Sequence, residues 1–278
     1  MNKVFRRKCL TRCNDFLDLK LEDYSPWMGL LSFVDRETYS KVVPHNFKLD
    51  DMENTPDRLK FLSILNTAGT EEELALEALE DWQVLDWENR TAIETVNATF
   101  PKSFDLITGS SEFFAQLLPR LVDIVIPLNE FVPFERGFSD HRVKGAIFIT
   151  PRSDDYPVFH SAVSMAHELG HQVMMLYQTA DPLIEADDHK LFSYSAARKT
   201  DRPVIQCLHA SFALAFMQRA CMSILKSDSH GIPQDLISQE MARFREGLKE
   251  TLLPLFELVR FTAIGKRLAM ELKAEVGS

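Results

Sequence analysis

Residues 167–171 read His-Glu-Leu-Gly-His, an H-E-x-x-H motif, inside an apolar stretch from Val158 to Tyr177 whose pattern predicts a helix. No other feature limits the fold as much. Histidines four residues apart stand about one helical turn apart, so both imidazoles leave the same face. Two neutral imidazoles so placed can grip one divalent metal, with a carboxylate between them in sequence. Two histidines do not hold a catalytic metal alone, so another part of the chain must supply a third ligand. The neighbours Ala162, Val163, Ala166 and Val173 are small and apolar, which suits such a helix. The competing reading is a core-facing helix whose polar residues are satisfied internally. His160 and Ser164 lie on nearly the same face as His167 and are candidates for supporting contacts or for capping.

The pattern around this helix predicts a mainly α fold with a small antiparallel β-sheet or hairpin just before the metal-binding helix, an α+β arrangement. Residues 1–100 are charged, Leu-rich and helical in pattern, with helix starts at Pro56 and at Thr70-Glu71-Glu72-Glu73. Residues 101–278 hold the motif and form the expected catalytic region, either as a second domain or as one continuous domain with the first. Ser110 to Leu118 reads as a helix that Pro119 ends. The β-rich runs 123–128 and 143–150 read as the small sheet. A loop is expected from Thr179 to Arg202, followed by helices over Val204–Lys226, Pro233–Thr251 and Leu255–Val276.

The formal charge of −10 argues against non-specific binding to nucleic acid and against an anionic membrane as partner. The basic stretch Met1–Phe16 is followed by no apolar core, so it does not read as a secretory signal. No apolar run approaches the length of a membrane span, and a soluble protein is expected. Four cysteines do not make a disulfide framework; Cys207 and Cys221 read as buried thiols in an apolar helix, which fits the cytoplasm.

The third ligand can be sought by elimination. A metzincin places a third histidine six residues after the second. That position is Tyr177, and the intervening glycine is missing. A thermolysin-like site takes a glutamate from a following helix. Glu185, Asp187 and Asp188 lie in the expected loop, and no E-x-x-x-D pattern follows on a helix. His209, on the apolar helix 204–226, is the better candidate, with His189 behind it; the alternative for His209 is a buried histidine satisfied by hydrogen bonds. Arg198 and Arg202 stand just before the His209 helix. Arginine forks match carboxylates, so the pair could anchor an anionic substrate or co-substrate. They could equally pair with Asp187, Asp188 or Asp201.

Three blocks of sequence, HELGHQVMMLYQTADPL, FSYSAARKTDRP and LHASFALAFMQR, stand in order between His167 and Arg219. This span resembles the HExxH peptide-modification proteins found beside ribosomally made, post-translationally modified peptides, some of which are iron(II)- and 2-oxoglutarate-dependent peptide β-hydroxylases. The resemblance covers about 55 residues strongly and leaves the first hundred without a family motif. It implies His167, His171 and His209 as metal ligands. It also implies Arg202 as the clamp for the distal carboxylate of 2-oxoglutarate, with Arg198 as second choice. The partner it implies is a ribosomally made precursor peptide.

Under that resemblance Glu168 would orient a ligand or touch the substrate. The usual facial triad has two histidines and a carboxylate, so a three-histidine set would leave the iron more positive before the dianionic co-substrate binds. Two other readings stay open. One is a zinc metallopeptidase with Glu168 as the general base. The other is a helical partner-binding protein whose motif is structural.

Overall fold

The stretch 157–178 carries apolar residues on most of its faces, and a helix hydrophobic nearly all round must be buried. A computed structural model of the chain describes residues 90–122, 124–128, 137–139, 145–178, 181–227 and 231–277. The expected helix starts at Pro56 and Thr70 lie outside the described residues, as do the basic stretch 1–16, Cys9 and Cys13. In sequence order the elements are α1 (Arg90–Ser110), α2 (Glu112–Leu121), β1 (Ile124–Pro127), β2 (Gly137–Phe138), β3 (Ala146–Ile149) and α3 (Pro157–Gln178). A 3-10 turn (Ala186–Lys190) follows, then β4 (Phe192–Ser195), β5 (Thr200–Pro203), α4 (Val204–Lys226), α5 (Gln234–Leu252), α6 (Leu255–Leu258) and α7 (Ala263–Val276). The protein is therefore mainly α-helical with small β-sheets. Described residues up to Glu168 belong to one compact unit and those from Leu169 to a second; the division falls inside α3.

In the first unit α1 packs on α2. The apolar stripe of α2, Phe114, Leu117, Leu118 and Leu121, follows helical spacing and is buried. Pro119 does not stop α2 as its sequence suggested, and the helix runs to Leu121. The proline falls in the last turn, where it forfeits one backbone bond, and the Val122 amide still reaches the Leu118 carbonyl at 2.9 Å. The sheet order is β1-β3-β2. β2 and β3 form the antiparallel pair expected before the metal helix, with Phe138 opposite Phe148 and their rings stacked 4.3 Å apart. The two longer β-rich runs, 124–127 and 146–149, are not the arms of a hairpin: they pair parallel, Ile124 opposite Ala146. A parallel pair needs a long connection, and the antiparallel partner comes from within that connection, at Gly137.

In the second unit α4 is the central helix. It packs along α5 and also touches α7 and the β4–β5 hairpin. Length and composition alone would let α4 cross a membrane, contrary to the sequence expectation, but 72% of its apolar window is buried inside the protein. It behaves as a core helix.

The segment expected to be a loop is largely ordered: residues 192–203 form an antiparallel hairpin, with Ser193 opposite Arg202 and Ser195 opposite Thr200. Its alternation is inverted, since Phe192 (61% exposed) and Tyr194 (42%) face out while Ser193 and Ser195 are buried. The alternation is that of a strand, but with the polar set turned inward, so patterning alone would bury the wrong face.

The last predicted helix is broken. Residues 259–262 separate α6 from α7, Phe261 bridges back to Ile184, and the Thr262 hydroxyl caps α7 by accepting from the Gly265 amide at 3.0 Å.

Candidate metal centre

Pro157 opens α3, as its fixed φ allows at a first helical position. Asp154 prepares that end: its carboxylate accepts from the Tyr156 amide at 3.2 Å and from Arg152 Nε at 2.7 Å, and lies 2.9 Å from His160 Nδ1. Burial alone would raise the Asp154 carboxyl, but hydrogen bonds from His160 and Arg152 outweigh it and hold the group below its ordinary value. His160 is thus engaged with Asp154, and Ser164 donates to the His160 carbonyl at 2.9 Å. Both serve the helix start.

Two and three turns further on, α3 presents the motif. One ligand atom each from His167, Glu168 and His171 lies within 4.8 Å of the others. Ligand bonds to a divalent ion are about 2.0–2.2 Å, so donors on one ion stand at most about 4.4 Å apart. The three groups thus stand close to the spacing that a shared ion would need. His167 and His171 are half-buried, while Glu168 is 1% exposed.

Glu168 is fixed by the short strand β2 and the residue after it. Ser139 Oγ donates to Glu168 Oε2 at 2.8 Å, and Glu168 Oε1 lies 3.7 Å from His167 Nε2. A Cβ at Gly137 would stand 2.8 Å from Glu168 Oε1 and 2.8 Å from the Phe148 carbonyl. Glycine at 137 is what allows the carboxylate to sit against β2.

The second helix comes close through another glycine. A Cβ at Gly170 would meet the Phe212 carbonyl at 2.9 Å and Ala213 Cα at 3.0 Å, so α3 and α4 approach nearly backbone to backbone. His209, in the second turn of α4, then brings its ring centroid to 5.6 Å from that of His171. His209 is outside the tight donor group, and its Nε2 is hydrogen-bonded to Gln178 Oε1 at 2.8 Å.

The other candidates separate clearly. Tyr177, at the metzincin position, is fully buried. His189 Nε2 is 2.9 Å from the Ile184 carbonyl, and neither His189 nor Glu185 joins the donor group. Asp188 is claimed by Arg260, which donates to it from Nε (3.1 Å), Nη2 (3.0 Å) and the amide (2.7 Å); these bonds lower its carboxyl pKa. Arg198 is exposed in the β4–β5 turn. Arg202 is half-buried on β5, immediately before α4, and no ion pair among the described residues involves it.

Three residues of this neighbourhood escaped the sequence reading: Gln178, Ser139 and Gly137. Gln178 had a signal, since it stands seven residues after His171 on the same helical face. Ser139 and Gly137 had none; the Ser139–Glu168 contact spans 29 residues of sequence.

No protein-family model matches the chain, and no curated protein is similar enough to count as a match.

Proposed function

We propose that the protein is an iron(II)- and 2-oxoglutarate-dependent hydroxylase acting at the β-carbon of a side chain in a ribosomally made precursor peptide. The observation that carries this reading is the approach of His209 to His171 across the α3–α4 contact, which offers a third imidazole where a peptidase would offer a carboxylate. Iron(II), with 2-oxoglutarate and dioxygen, would supply the oxidising chemistry. The chain's own residues do the rest. His167, His171 and His209 would hold the ion. Arg202 would fork onto the distal carboxylate of the keto-acid, a role favoured by its half-burial and by its having no carboxylate of its own among the described residues. Arg198, exposed in the turn, is the lesser candidate. Glu168, buried and held by Ser139, would fix the position of the His167 ring and keep solvent from it. Buried thiols at Cys207 and Cys221 are in keeping with a reducing cytoplasm.

Anaerobic addition of iron(II) and 2-oxoglutarate should produce a weak visible charge-transfer band, and peptide plus dioxygen should yield succinate. Absence of both overturns the proposal. Stoichiometric metal that is lost in His167→Ala would rule out a purely structural role for the motif.

One observation favours a second reading, a zinc peptidase: Glu168 lies within the donor group, where a general base would stand. Glu168→Gln would then abolish cleavage of a peptide while leaving zinc bound. Against it, no carboxylate from the segment after α3 joins the group among the described residues.

A further inference from the structure

Within the second unit, Gln178 and His209 are joined by a hydrogen bond between side chains 31 residues apart, at 2.8 Å. Gln178 is the last residue of α3 and stands on the same face as His171, two turns below it. An amide oxygen only accepts, so the His209 nitrogen facing it, Nε2, carries the proton. A neutral imidazole has one proton. The lone pair therefore resides on Nδ1, and Nδ1 is the only atom with which this tautomer can bind a metal. From this we infer that Gln178 is a positioning residue for the third ligand: it fixes the Nε2–H tautomer of His209 and selects Nδ1 as the ligand atom.

The inference rests on the three-histidine reading and adds to it the ligating atom and the residue that chooses it. Hydrogen bonds of this kind to the distal nitrogen of a metal-bound histidine set ring orientation and raise ligand basicity. Here the acceptor is on the same helix as the two motif histidines. One rigid element would thus carry two ligands and orient the third. Gly170, which lets α4 lie against α3, places His209 within reach of that amide. Glutamine suits the position because it accepts from the ring without adding negative charge beside a site that would also receive a dianionic co-substrate.

The test uses the full chain with zinc(II) as a diamagnetic probe metal, read by long-range proton–nitrogen correlation of the histidine rings. The expected result is His209 protonated at Nε2 both before and after zinc is added, with the Nδ1 resonance moving on binding. Gln178→Leu should weaken zinc binding about 10- to 100-fold. Gln178→Glu, which also accepts from Nε2–H, should restore it. Coordination of His209 through Nε2, or unchanged affinity in Gln178→Leu, overturns the role of Gln178 and leaves the three-histidine site standing. Zinc bound with no change at the His209 ring, or no zinc bound at all, overturns both.

Discussion

The proposed chemistry would turn on a few side chains whose surroundings differ. Arg202 and Arg198 are close in sequence and alike in charge, yet one is half-buried at the foot of α4 and the other is exposed in a turn. A charge-assisted pair to a carboxylate is worth about 1.5–3 kcal/mol. If the proposed co-substrate is right, Arg202→Leu should raise the KM for 2-oxoglutarate by about 10- to 100-fold, while Arg198→Ala leaves it within about threefold. Steady-state kinetics in the keto-acid separates the two. Asp154 gives a pH signature. Its carboxyl is held below the ordinary 3.8, so its contribution to stability is fully present above that value and disappears as the pH falls through the lowered one. Thermal melts of the natural chain and Asp154→Asn should differ at pH 6, and the difference should shrink progressively as the pH is lowered below 3.8. The closeness of His167 and His171 was legible in the sequence because motif spacing on a helix dictates it. Gln178 was missed although its place seven residues after His171 puts it on the motif face, because a neutral amide does not say which partner it will meet.

At the scale of elements, helices were legible nearly to the residue where apolar periodicity governs them. α4 spans the expected Val204–Lys226, and α3 exceeds its expected bounds by one residue at each end. The hairpin 192–203 was missed because the alternation in Phe192-Ser193-Tyr194-Ser195 is only four residues long and its partner strand, Thr200–Pro203, carries none. The parallel β1–β3 pair was hidden because pairing direction depends on the connection rather than on the strands. The break at 259–262 was hidden because its cap is Thr262 working with a glycine, without the glutamate that marks a capping box. The α3–α4 contact is the element-scale feature that brings His209 towards His171, and Gly170 sets its distance. Gly170→Ala would push a methyl into the Phe212–Ala213 backbone. Overpacking of this kind costs about 1–3 kcal/mol, which at this contact would be relieved by moving α4 outwards. The expected outcome is a folded chain by circular dichroism whose metal affinity falls at least tenfold, measured by titration with cobalt(II).

For the molecule as a whole, the core predicts which groups solvent cannot reach. Burial pushes the Cys221 thiol up to about 12, and burial also raises Cys207, whose Sγ donates to the Ser193 carbonyl at 3.2 Å. Neither should react with iodoacetamide at pH 8 in the native state, and both should react in denaturant, as mass spectrometry would show. A second whole-molecule feature joins the segment after the metal helix to the last helix. Asp181 Oδ1 accepts from the Leu183 amide at 2.7 Å and from the Thr262 hydroxyl at 2.6 Å. Leu183 takes the left-handed backbone region at φ 66°, and its carbonyl accepts from the Thr262 amide at 3.1 Å. A Cβ on Gly265 would meet that carbonyl at 1.9 Å, so α7 can seat there only with glycine in its first turn. This clamp begins three residues after Gln178, and α7 is the last described element to be synthesised. A chain ending before Thr262 would keep every residue proposed to hold the metal but would lack the partners that Asp181 and Leu183 find on Thr262. If the motif holds a metal as proposed, the seat that α7 gives to the segment after Gln178 makes the site depend on a helix that supplies none of its ligands, and a chain truncated before Thr262 should bind zinc(II) more weakly than the full chain in a titration.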